Sequence, residues 1–121
     1  MPLKGLDHVT VRCADLARSR VFYGEVLGLR DGERPAFPVP GAWFYLGDRP
    51  VVHLFGGETG GSATTGSFDH VAFEADDLAG TLARLERMGV AHRRTPVPGV
   101  RLDQLFLHDP DGVLIELNFR G

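Results

Sequence analysis

The chain has 121 residues, a formal charge of −3 and 43% apolar residues, which fits one globular domain with a real core. Arg93-Arg94 is its one adjacent basic pair, too little for general nucleic-acid binding, and no run approaches the roughly 20 apolar residues of a membrane span. The single cysteine, Cys13, rules out an internal disulfide framework and fits a reducing cytosol. Met1-Pro2-Leu3-Lys4-Gly5 leads directly towards a strand, so no signal peptide is expected and the location expected is cytoplasmic.

Leu6-Asp7-His8-Val9-Thr10-Val11 alternates as a short strand. Asp15 follows as a helix N-cap, with Leu16, Phe22, Tyr23, Val26 and Leu27 at helical spacing and Gly28 as the stop. Leu29-Arg30-Asp31 is a candidate second strand. It leads into Pro38-Val39-Pro40-Gly41, whose prolines bar a helix and a central strand. Ala42–Leu46 is a third strand, Gly47-Asp48-Arg49-Pro50 a turn, and Val51–Phe55 a fourth strand. A glycine-rich stretch over 57–66 has the composition of a flexible linker.

The pattern then repeats. Phe68-Asp69-His70-Val71-Ala72-Phe73 echoes the first strand half a chain later. Asp77 caps a second helix carrying Leu78, Leu82, Leu85 and Met88, and Gly89 ends it. Ala91-His92-Arg93, the bend Pro96-Val97-Pro98-Gly99, Asp103–Leu107, the turn Asp109-Pro110-Asp111-Gly112 and Val113–Asn118 complete the copy. The reading is an α+β fold of two βαβββ modules, residues 5–56 and 67–121, forming one domain. Each helix covers the apolar sheet face made by Val9, Val11, Val52 and Leu54, or by Val71, Phe73, Ile115 and Leu117.

His8, His53, His70 and Glu116 fall on the opposite faces, two in first strands and two in matching places of fourth strands. If first and fourth strands are neighbours, the four converge. A lone strand histidine is most often a hydrogen-bonded structural residue. A glutamate inside Leu114-Ile115-Glu116-Leu117 is harder to dismiss, because an unpaired buried carboxylate costs several kcal/mol. Imidazoles with a carboxylate suit a borderline divalent cation: iron, manganese, nickel, cobalt or zinc. Two histidines and one carboxylate suit iron(II) oxygen chemistry, whereas a fourth ligand suits a Lewis acid.

Asp-His-Val-Ala-Phe, Phe22-Tyr23 followed by Leu27-Gly28-Leu29, and Asp109-Pro110-Asp111-Gly112 leading to Ile115-Glu116-Leu117 together resemble the vicinal oxygen chelate superfamily. Glyoxalase I, extradiol dioxygenases, methylmalonyl-CoA epimerase, fosfomycin-resistance transferases and bleomycin-resistance proteins belong to it. The resemblance spans the chain and implies a half-open barrel around a divalent metal. It implies His8, His70 and Glu116 as ligands. His53 stands where glyoxalase I usually has a glutamate, so it is read as a fourth ligand, a general base or a hydrogen-bond donor to a bound anion.

Trp43 and Tyr45 read as a stacking wall for a planar substrate or, with Phe44, as core. Arg12, sharing a strand face with His8 and Thr10, is the foremost candidate anchor for a substrate anion, ahead of Arg34 and Arg94. Cys13 reads as a small strand-end residue, and His92 and His108 as water-facing. The expectation is a homodimeric, metal-dependent enzyme that chelates a small substrate through adjacent oxygens. A glyoxalase-like lyase or isomerase comes first and a ring-cleaving dioxygenase second. The different class is a drug- or metabolite-sequestering binding protein.

Overall fold

The computed structural model describes residues 5–56, 68–99 and 101–120. Two compact units divide the chain, Met1–Gly61 and Ser62–Gly121, and the linker expected over 57–66 lies outside the described residues. Each unit is a βαβββ module with its own four-stranded sheet.

In the first unit the elements are β1 (Val9–Arg12), α1 (Leu16–Val21), β2 (Arg30–Gly32), β3 (Gly41–Leu46) and β4 (Arg49–Phe55), with sheet order β1-β4-β3-β2. First and fourth strands are neighbours and parallel, pairing Val9 with Val52, Thr10 with His53 and Val11 with Leu54. The Asp15 side chain caps α1 by accepting from the Arg18 N–H at 3.1 Å. The helix does not run evenly to Gly28. It widens into a π-helical turn over Phe22–Val26, and this places Phe22, Tyr23 and Val26 in the core. Gly24 lies within that turn, and a Cβ there would come 3.3 Å from the Phe44 ring. Gly28 (φ +75°) then reverses the chain. Val11, Ala42, Phe44, Val52 and Leu54 line the buried sheet face.

The turn before β4 is tighter than the sequence pattern indicates. Arg49 and Pro50 already belong to the strand, leaving Gly47-Asp48 as a two-residue hairpin loop with Gly47 at φ +60°. Phe44 pairs with Val52 and Tyr45 with Pro50, so Val51 is an extra residue, a β-bulge. Pro50 is tolerated in an inner strand because it sits at that irregularity, beyond the paired end of β1.

The second unit repeats the plan with β5 (His70–Ala75), α2 (Leu78–Arg87), β6 (Arg93–Pro96), β7 (Leu102–His108) and β8 (Leu114–Arg120), in the order β5-β8-β7-β6. Asp77 caps α2 from a left-handed conformation (φ 63°), accepting from the Gly80 N–H at 3.0 Å. Leu85, Leu105, Leu107, Ile115, Leu117 and Phe119 are buried. The second strand begins at Arg93, two residues later than expected, and reaches Pro96, which is acceptable on an edge. His92 is half-buried, not water-facing: its Nδ1 donates to the Val90 carbonyl at 2.8 Å.

The turn into β8 is organised by the Asp109 carboxylate, which is buried and accepts from the Asp111 and Val113 N–H groups at 2.8 and 2.9 Å. Asp109→Ala leaves those donors without their acceptor in a buried setting. It is expected to lower stability by about 2 kcal/mol in urea unfolding, whereas Asp111→Ala should cost far less.

Candidate functional site

In the first unit His8 and His53 come together, joined by Trp43. The cross-strand pairing of Trp43 with His53 sets both rings on the sheet face opposite Val52 and Leu54. Their ring centroids lie 4.1 Å apart at 12°, and His8 stacks on the other side of His53 at 3.8 Å and 12°. Hydrogen bonds fix which nitrogen of each ring is free. His53 Nε2 donates to the Pro50 carbonyl at 3.1 Å, a contact that the bulge at Val51 permits, and Nδ1 keeps its lone pair. His8 Nδ1 donates to the Asp7 carboxylate at 2.7 Å, leaving Nε2. Arg49 ties down the segment before β1 by donating to the Leu6 carbonyl at 3.1 Å.

In the second unit His70 and Glu116 come together. His70 Nδ1 donates to the Asp69 carboxylate at 2.7 Å, the same device as Asp7-His8. Its Nε2 lies 3.3 Å from Glu116 Oε1. Glu116 is held in turn: its Oε2 accepts from the Asn118 amide at 2.9 Å, and the Asn118 carbonyl accepts from Gln104 at 3.2 Å. The side chain of Glu116 is only 12% exposed, so Oε1 is a directed acceptor and not a solvated charge.

The electrostatics follow from these neighbours. Burial lowers the pKa of His53, and the adjacent His8 lowers it further. The hydrogen bond to Asp69 raises the pKa of His70 and outweighs a small desolvation effect; Glu116 adds to the rise. His8 holds the exposed carboxyl of Asp7 below its ordinary value.

A neutral His70 with Nδ1–H committed to Asp69 aims a lone pair at another lone pair on Glu116. Only a proton or a cation between them reconciles the two. Their 3.3 Å separation is that of neighbouring donors about 2.1 Å from one ion. The donor pair therefore fits a divalent metal, although among the described residues no three or more His, Cys, Asp or Glu side chains are gathered at one point.

The other sequence candidates fall elsewhere. Trp43 and Tyr45 share one face of β3 and line a cleft. Tyr45 donates to the Glu33 carbonyl at 2.7 Å. Arg12 is exposed at the end of β1. Arg94 is paired with Asp103 at 3.2 Å and is not a free anchor. Sequence reading missed Asp7, Asp69, Gln104 and Asn118. The repeated Asp-His dipeptide was the available signal for the first two.

The sequence matches the Glyoxalase/Bleomycin resistance protein/Dioxygenase superfamily over residues 5–117. The chain belongs to this superfamily. It is 33% identical to Glyoxylase I 4 of Arabidopsis thaliana, over 95% of this chain and 70% of that protein. It is also 33% identical to the lactoylglutathione lyase of Salmonella typhimurium, over 93% of this chain and 90% of that protein. Among solved structures, the fosfomycin resistance protein FosX of Listeria monocytogenes, complexed with Mn(II) and 1S,2S-dihydroxypropylphosphonic acid, shares the fold. Its TM-score is 0.79 at 17% identity, covering 98% of this chain and 94% of that one. As a superfamily member the chain carries two βαβββ modules in chain order.

Histidine NMR titration of metal-free protein checks the assigned hydrogen bonds. His70 is expected to titrate above the ordinary 6.5 and His53 below it. A folded-state pKa below the unfolded one makes the His53 contribution to stability present above pH 6.5 and lost on acidification. Asp69→Asn should bring the His70 midpoint down; an unchanged midpoint would remove that hydrogen bond from the account.

Proposed function

We propose that the protein is a metal-dependent lyase or isomerase of the glyoxalase type, acting on a small substrate through two adjacent oxygens. The observation that carries this reading is the His70–Glu116 pair, with both outer atoms already committed and both inner atoms directed at one space. The relatives named as glyoxalase I and lactoylglutathione lyase favour the lyase over the other chemistries of the superfamily.

In this reading His8 Nε2, His70 Nε2 and Glu116 Oε1 are the donors for a divalent cation. The cation would polarise the two substrate oxygens and stabilise the negative charge that develops on them. The chain's own residues do the rest. Asp7 and Asp69 hold the imidazoles in the tautomer that leaves Nε2 free. Asn118, backed by Gln104, keeps Glu116 turned so that a single oxygen faces inward. His53 is the general base: its Nδ1 takes the proton from substrate carbon and returns it to the neighbouring carbon. Its Nε2–H stays on Pro50 so that the ring keeps its orientation.

The protein is further read as a cytoplasmic homodimer.

The test is isomerisation of the hemithioacetal of methylglyoxal and glutathione. Activity should appear with nickel, cobalt, manganese or zinc and vanish with a chelator. His53→Ala should keep its metal and lose about 10²–10⁴ in kcat. Ring cleavage of catechols with iron(II) and air, without hemithioacetal turnover, would replace the lyase with the dioxygenase. Metal-free protein that still binds a hydrophobic drug would replace both with sequestration.

A further inference from the structure

The first unit contains a cleft of about 550 Å³ lined by Glu33, Arg34, Pro35, Trp43 and Tyr45. Its volume is within the range of small-molecule sites. Trp43 is shared: it lines the cleft and stacks on His53, so the cleft adjoins the proposed base within one unit.

Arg34 is held in place here, yet among the described residues no carboxylate forms an ion pair with it. Its Nη2 donates to the Val39 carbonyl at 2.9 Å, and its guanidinium lies 5.1 Å from the centre of the Phe37 ring. Its Nε is buried and has no hydrogen-bond acceptor, and it is the one buried side-chain polar atom so found among the described residues. Leaving a buried donor without an acceptor is unfavourable. The placement is built into the backbone: a Cβ at Gly41 would meet both the Leu54 carbonyl and the Arg34 guanidinium. By contrast Arg20 is paired with Asp31 and Arg94 with Asp103. A half-buried guanidinium that lines a cleft with aromatic walls matches a flat ligand that ends in a carboxylate. The planar fork meets the carboxylate edge-on, and the rings meet the apolar body.

We propose that this cleft is a binding subsite for a planar apolar group bearing a carboxylate, with Arg34 as its anchor and Trp43 and Tyr45 as its walls. Seating the non-reacting end of the substrate here, with the reacting oxygens towards His53, rests on the functional reading above. The exposed Glu33 carboxylate at the rim opposes a second negative charge, so a monoanion is the ligand selected.

Trp43 is the sole tryptophan, so its fluorescence reports the cleft directly. Metal-stripped protein is titrated with phenylacetate and with the neutral phenylacetamide. Because metal is absent throughout, the result does not depend on the cation reading. Phenylacetate should saturate the signal and bind about tenfold tighter than the amide. Arg34→Met should abolish that preference while leaving amide binding within about twofold, and Arg34→Lys should restore part of it. Circular dichroism establishes that each variant is folded. Equal binding of acid and amide by the unmodified protein, a preference that survives in Arg34→Met, or no saturation by either ligand would overturn the proposal.

Discussion

An imidazole can hold a cation only through a nitrogen that carries no proton, and that constraint organises what both units of this protein place on their polar faces. His8 and His70 each spend Nδ1–H on the aspartate immediately before them, and His53 spends Nε2–H on the Pro50 carbonyl. Every ring is left with one defined lone pair. At His70 that lone pair faces Glu116 Oε1, whose partner oxygen is occupied by Asn118. A neutral histidine between two carboxylates is an unfavourable arrangement unless charge is supplied, by a proton or by a metal. The sheets exist, in functional terms, to hold these lone pairs still.

The topology was legible because it is written twice. Repeated Asp-His strands, Asp-capped helices ended by glycine, and proline bends in matching places fix two βαβββ units, and the structure pairs first with fourth strands in both. Strand parity alone puts His53 and Glu116 on the face away from Val52, Leu54, Ile115 and Leu117. Other features escaped because they depend on contacts between strands and not on order along one strand. The Val51 bulge follows from the register of β3 on β4, and it lets the His53 ring reach Pro50. The Gln104–Asn118–Glu116 chain needs β7 beside β8. The π-helical turn over Phe22–Val26 keeps the apolar spacing that an ordinary helix would show and therefore hides in it. Arg34 stood in the sequence as one of several arginines; its missing acceptor is visible only in three dimensions.

The two units divide the chemistry unequally. The second offers one imidazole and one carboxylate braced by amides, a rigid and partly buried pair. The first offers two stacked imidazoles continuous with an aromatic cleft. His53 is the ring common to both stacks of the first unit. Stacked between Trp43 and His8, the ring gains packing that a carboxylate would not, and burial favours its neutral form.

The proposed function turns on His8, His70 and Glu116 serving one divalent ion. Metal content per chain, measured after equilibration with nickel for the unmodified protein, His8→Ala and His70→Ala, tests it most directly. The account predicts about one ion per chain, and loss of most of it in either variant, since each removes a donor from the same centre. Full occupancy in both variants, or no stoichiometric metal in the unmodified protein, would contradict it.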